Sequence, residues 1–384
     1  MITPRRRFVR HLASAAAVTV VAAGGVTAAV AVADPAQEPT QRGGQTAGSV
    51  YANRPLTGPS LLPAASEGQQ FSYWSQGADE RMHLSTAVLL EPRGTAPRTG
   101  WPVVVWAHGS DGWNADCAPS QQRGRADRGT ITRLLNRGYA VISPDYAAVG
   151  APGAPQYSDV GATAHNIVDA VRASSDIGPA LSDRWAVLGQ SQGAAAAVEL
   201  ARKAVSWQTG SLDFRGAAAM SVPAGYDDVV TGLSPSSPSV PDPVMADVLY
   251  TLASQDREAL EPILSRRGAA LVDKARTLCS EALIKEIGGT TLAGLVTRPL
   301  SSQRSLAASL RTSLAIPTRG FNRPILLSQR LTDDTVVVPT TLQYITEAQV
   351  TDAKATMSTY LTPDSAAAQK QERAAVEKFL DTLF

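Results

Sequence analysis

Residues 185–193, Trp-Ala-Val-Leu-Gly-Gln-Ser-Gln-Gly, constrain this chain more than any other stretch. An apolar run, Trp185 to Leu188, leads into Gly189-Gln190-Ser191-Gln192-Gly193, and a run of small helix-forming residues, Ala194 to Val205, follows directly. The pattern predicts a strand, a sharp turn and a helix. In a G-x-S-x-G turn between those elements the serine sits on a strained elbow, its hydroxyl exposed at the top of a parallel sheet. Glycines are needed on both sides because the strand and helix backbones approach too closely for a Cβ. Ser191 is therefore the candidate nucleophile, with Gly189 and Gly193 as elbow glycines. The pentapeptide without its flanks would also fit a plain loop carrying an exposed serine.

The chain has 384 residues, enough to bury a large core as one domain with insertions or as two. Its 44% hydrophobic and 18% charged content fits a globular protein rather than a disordered chain or a membrane bundle. The formal charge of +1 includes Arg5, Arg6, Arg7 and Arg10; without those four arginines it becomes −3. No basic face interleaved with aromatics points to nucleic acid.

Those arginines open residues 1–33, which read as an export signal. An Ala/Val-rich stretch runs from Leu12 to Val32, and Ala31-Val32-Ala33 resembles a cleavage site. Pro4 to Arg10 has the form of a twin-arginine signal. The apolar stretch is also long enough for an uncleaved anchor, against which Gly24, Gly25 and the small-residue site argue. A secreted or cell-envelope protein is expected. Cys117 and Cys279 are the only cysteines, and in an exported chain they are expected to pair. Two cysteines make no structural zinc site and no H-E-x-x-H occurs, so no metal and no cofactor is expected.

Residues 34–67 read as an extended lead-in rich in Pro, Gly, Gln and Ala. Phe71–Ser75 and Met82–Leu90 then predict antiparallel opening strands. Val103 to Ala107 is a continuous apolar run, as in a strand buried on both faces, and it ends at His108-Gly109-Ser110. A helix near 126–136, a strand from Tyr139, a helix carrying Ile167, Val168 and Val171, the serine strand and its helix, and a strand at Ala217–Val222 follow. Strands alternating with helices predict a parallel sheet. Residues 225–315 break that rhythm and read as a helical cap inserted between a first core part, 68–224, and a second, 316–384. The second part carries a strand at Pro324–Leu327, a helix near Thr340–Val350, a strand at Ala355–Leu361 and a closing helix from Ser365. In the cap, Val244, Met245, Val248, Leu249 and Leu252 could line a cleft or form a helix's ordinary core face.

Several stretches together resemble the secretory lipase family of α/β-hydrolases, especially its actinobacterial members. They are Trp106-Ala107-His108-Gly109-Ser110, Cys117-Ala118-Pro119-Ser120, Asp145-Tyr146 with Gly150, Asp169-Ala170-Val171-Arg172-Ala173, and Trp185 through Gly193. The resemblance implies an α/β-hydrolase fold with a helical cap over an acyl-binding cleft. It also implies a disulfide joining the oxyanion-loop region to the cap, a lipid or small-molecule ester as substrate, and transient lipid-surface contact through the cap. Ser191 takes the nucleophile's place, and the backbone N–H groups of Gln192 and Ser110 take the oxyanion hole's. The family's acid lies in a pattern like Q-G-x-x-D-x-x-V-P; here Gln329 to Val336 puts Asp333 in its place, with Asp334 adjacent and Arg330 replacing the glycine.

The base departs from that pattern. The hydrolase order is Ser, then Asp, then His, yet no histidine follows His165, and Ser365 falls on the family histidine's place. A serine hydroxyl needs a base near neutrality to take its proton. The remaining histidines are His11, His83, His108 and His165. Of these His108, at the end of a strand on the correct edge of the sheet, is the possible substitute base, although shaping the oxyanion loop is its simpler role. Two functions follow: a serine ester hydrolase with impaired turnover, or a catalytically silent hydrolase-fold protein that binds a lipid or envelope component. Restoring the base by Ser365→His is expected to raise activity by orders of magnitude.

Overall fold

The structure, a computed structural model, describes residues 45–112, 114–120, 127–147, 159–178 and 180–384. The export signal, Gly150 and the loop 150–156 lie outside the described residues.

Nine strands form one sheet: β1 (Val50–Pro55), β2 (Ala65–Gln76), β3 (Met82–Pro92), β4 (Trp101–Ala107), β5 (Ala140–Ala147), β6 (Leu181–Gln190), β7 (Asp213–Met220), β8 (Ile325–Arg330) and β9 (Ala355–Tyr360). Their spatial order is β1-β2-β3-β5-β4-β6-β7-β8-β9. β1, β2, β3 and β5 pair antiparallel; every pair from β5 through β4 to β9 is parallel. The expected opening strands are present and longer than their apolar centres. The lead-in adds β1, which covers the outer edge of β2.

The parallel strands are buried on both faces, which explains their unbroken apolar runs. Val103, Val105, Ala107, Trp185 and Val187 point into one core layer, closed by α2 (Val160–Ser175) and α3 (Gln192–Trp207). Val104, Trp106, Ala186 and Leu188 point into the other, closed by α1 (Asp127–Asn136) and the C-terminal helix. Because the chain leaves β4 toward β5 on one side and returns to β6 on the other, the strand order reverses at β4. Its C-terminal end and that of β6 therefore flank a crevice of the kind in which open α/β sheets bind ligands.

Between β7 and β8 lie seven helices: α4 (Tyr226–Thr231), α5 (Asp242–Ala253), α6 (Arg257–Leu260), α7 (Arg266–Ala275), α8 (Ser280–Ile287), α9 (Leu292–Leu295) and α10 (Arg304–Leu314). They have a hydrophobic core of their own, in which Met245, Val248, Leu249, Leu252, Leu271 and Leu283 are all almost inaccessible. The apolar face of α5 is therefore packed into the cap and does not line the cleft. After β8 come α11 (Val338–Thr351) and, after β9, α12 (Ser365–Asp381). Among the described residues no helix is long and apolar enough to cross a membrane.

One buried carboxyl gives the fold a pH signature. Asp169 of α2 accepts a hydrogen bond from Ser75 Oγ at 2.7 Å, and burial pushes its carboxyl up to about 6 despite that bond. A raised acid pKa favours the protonated native state, so this residue costs stability as pH rises from about 4 to 6, by up to about 3 kcal/mol. Comparing Asp169→Asn with wild type by thermal melts at pH 3.5, 5 and 7 is expected to show the variant gaining relative stability as pH rises; a pH-independent difference contradicts this.

Candidate active site

The turn after β6 has the strain expected of an elbow. Ser191 has φ 49° and ψ −116°, a backbone conformation costing on the order of 1–3 kcal/mol for a non-glycine residue. Its amide donates to Met220 O at 3.1 Å, and its carbonyl accepts from Ala194 and Ala195, the first helical bonds of α3. Packing explains both glycines. A Cβ on Gly189 would lie 2.1 Å from Gly193 O, and one on Gly193 would lie 2.0 Å from Ala107 O. The serine is 8% exposed, and no group among the described residues hydrogen-bonds its hydroxyl.

Ser191 opens onto a small cleft of about 30 Å³ beneath the cap, which it shares with Ser110, Thr163, Gln192, Tyr226 and Asp247 on the polar side. Val160, Ala195, Leu314 and Ile316 supply apolar lining. The loop after β4 stands beside the serine: a Cβ on Gly109 would be 3.5 Å from Ser191 Cβ. Ser110 and Gln192 thus line the same cleft as Ser191. The amide of Gln192, in the first turn of α3, has no partner within its helix.

Cys117 and Cys279 are joined, their Cα atoms 5.4 Å apart. The bond ties the loop after β4 to the start of α8, as the resemblance implied. In the chain-entropy model, closing a loop of this length stabilises by about 5 kcal/mol.

Asp333 lies beyond β8 and is buried, whereas Asp334 is exposed. All four acceptor positions of the Asp333 carboxylate are filled. Oδ1 accepts from Thr335 N at 2.9 Å and Thr335 Oγ1 at 2.6 Å, while Oδ2 accepts from Ser221 Oγ and from Arg330 Nη2 at 3.1 Å. A carboxylate offers about four lone-pair sites, so none remains here for an imidazole N–H. Arg330, in the glycine's place, is held on its other side by Glu372 of α12, 2.9 Å from its Nε. Burial raises the Glu372 carboxyl, opposed by Arg330 and by the Ser328 hydroxyl. Ser365 is exposed at the first turn of α12, which Asp364 caps.

His108 does not fit the role of substitute base. Its Nδ1 is 2.6 Å from Gly109 O, its Nε2 is 3.0 Å from Pro144 O, and the ring stacks on Tyr146 with centroids 4.5 Å apart. With a carbonyl oxygen at each nitrogen, the ring has no lone pair directed at Ser191. Its place is structural, bracing the turn after β4. His165 stacks on Trp207, centroids 3.8 Å apart, and burial lowers its pKa. His83 meets Asp79 near the β2–β3 turn, Nε2 to Oδ1 2.8 Å. Among the described residues, no histidine lines the cleft.

Asp247 was not legible as a site residue. It is the one carboxylate inside the apolar run 244–249 of α5, and that lone charge was the available signal.

Neither the family models nor the curated proteins contain a match to this sequence. Solved structures do resemble it. Candida antarctica lipase A in its closed state aligns with TM-score 0.65 at 20% identity, over 83% of this chain and 77% of that one. The rice cell wall degrading esterase LipA from Xanthomonas oryzae aligns with TM-score 0.69 at 18% identity, over 88% and 98%. A putative hydrolase from Legionella pneumophila aligns with TM-score 0.63 at 13% identity, over 81% and 91%. The chain has the α/β-hydrolase fold.

The elbow geometry sets a test. Gly193→Ala, which drives a methyl into Ala107 O, is expected to destabilise the protein by about 3 kcal/mol or more, whereas Gly210→Ala, at an exposed turn open to solvent, should cost less than about 1.5 kcal/mol. Denaturant titration measures both, and equal losses contradict the packing argument.

Proposed function

We propose that the chain is an exported serine ester hydrolase of the secretory-lipase type, acting on acyl esters through an acyl-enzyme on Ser191. The observation that carries this reading is the strained Ser191, its hydroxyl unbonded and facing a cleft beside the 108–110 loop. In this reading the Gln192 and Ser110 amides stabilise the charge that develops on the carbonyl oxygen. One such donor contributes about 2.7–4 kcal/mol in comparable sites. The lipase and esterase structures of the same fold are consistent with an ester substrate, and the apolar lining with its acyl part. The disulfide and residues 1–33 support export.

Turnover in this reading is slow. Loss of the triad histidine costs about 10⁶-fold in a serine protease and leaves roughly 10³–10⁴ over water. Nothing replaces the imidazole on Asp333, whose acceptors are filled. That saturation favours a second reading, a silent hydrolase-fold protein binding an ester or lipid in the same cleft.

Two experiments separate the readings. Wild-type protein is expected to take a fluorophosphonate label on Ser191 and to hydrolyse p-nitrophenyl acetate at roughly 10³–10⁴ times the water rate, both lost in Ser191→Ala. Parity between wild type and Ser191→Ala leaves the binding reading. Ser365→His alone leaves Asp333 committed to Arg330 and is now expected to gain less than about tenfold. Adding Arg330→Gly frees the carboxylate and is expected to add about a hundredfold or more. A double variant no faster than Ser365→His would show that residue 365 does not reach Asp333.

A further inference from the structure

Residues 110–117 of the loop that follows β4 are linked to the cap at several points. Ser110 Oγ donates to Asp247 Oδ1 of α5. Asp111 O accepts from Ser280 N at 3.1 Å, Asn114 Nδ2 donates to Thr277 O at 3.0 Å, and Cys117 is bonded to Cys279. At Gly112, φ +103°, an added Cβ would meet Cys117 Sγ and Leu278 O, each at 3.1 Å, so the loop lies flat against the cap there. Core contacts act at its base, where Tyr146 Oη donates to His108 O at 2.7 Å, and at Ser120, whose amide donates to Asp145 Oδ1 at 2.8 Å.

Asp247 is itself rigidly placed. Its neighbours Met245, Ala246, Val248 and Leu249 are buried in the cap core, and Tyr250 Oη on the same helix donates to Leu278 O at 2.9 Å. A carboxylate that lines the Ser191 cleft and accepts from Ser110 therefore ties a fixed helix to the residue next to Gly109, which touches the serine.

We propose that Asp247 is a positioning residue: through the Ser110 hydroxyl it sets the orientation of the Gly109–Ser110 backbone, so that the oxyanion hole is complete only while the cap is seated. This rests on the hydrolase reading of Ser191. Asp247 acts through Ser110 and takes no proton from Ser191. The role asks only for a hydrogen-bond acceptor at residue 247. The disulfide ties Cys117 of the same loop to the cap as well.

The test uses full-length mature protein and the rate of fluorophosphonate labelling at Ser191, with amide hydrogen exchange over residues 108–112 as a second readout. Asp247→Ala and Ser110→Ala are each expected to slow labelling by about ten- to a hundredfold, and the double variant to be no slower than the slower single. Asp247→Asn, which keeps a carbonyl acceptor, is expected to restore most of the rate. For p-nitrophenyl esters the loss is expected in kcat with KM unchanged. Exchange at 108–112 is expected to quicken about tenfold in Asp247→Ala while that of α3 is unchanged. Additive losses, an Asn variant as slow as Ala, or unchanged exchange overturns the proposal. Absence of label on wild-type Ser191 overturns the hydrolase reading instead, and the exchange measurement then decides by itself whether Asp247 holds the loop.

Discussion

The close approach of three backbones at the turn after β6 is the constraint on which the site depends. Gly193 sits against Ala107 O, and Gly189 against Gly193 O, at separations that admit no side chain. This contact locks the end of β4, the end of β6 and the start of α3 together. It forces Ser191 into a positive-φ conformation, and the buried helix and sheet around it supply the stability that holds the strain. The same contact sets the 108–110 loop beside the serine, since the loop begins where Ala107 ends.

Around that fixed point the cap is a second compact layer with its own core. Polar and covalent links join it to the loop after β4. The links concentrate on one loop: a hydroxyl–carboxylate bond at Ser110, backbone and amide bonds at Asp111 and Asn114, and the disulfide at Cys117. A loop so held has few conformations of its own.

The region beyond β8 has lost that kind of economy. A carboxylate that would orient an imidazole is instead one member of a buried cluster with Arg330, Glu372, Ser221 and Thr335. Two carboxylates share one guanidinium there, and burial without Arg330 would be costly for both. The arginine therefore both stabilises this corner and occupies the acid. With Arg330, Ser221 and Thr335 all donating to it, the buried Asp333 carboxylate is satisfied without an imidazole.

Much of this was legible from residue order. Apolar runs bounded by glycine and proline identified the buried strands, since burial on both faces leaves no polar alternation. The elbow was readable because only glycine fits where backbones touch, and the sequence shows directly that no histidine follows His165. Local pattern did not reveal β1, whose residues Val50–Pro55 carry little strand signal and are held by pairing with β2. It left open whether α5 lines the cleft or packs inward, because an amphipathic face does not name its partner. Nor could it show that a backbone carbonyl lies beside each His108 nitrogen, that Asp333 has no acceptor left, or that Asp247 reaches Ser110. Those outcomes depend on which groups, up to 137 residues apart, are brought within hydrogen-bonding distance. Chain order determined the backbone turns and the chemical groups available; only the packing of cap against sheet decided which groups were already satisfied and which remained to act.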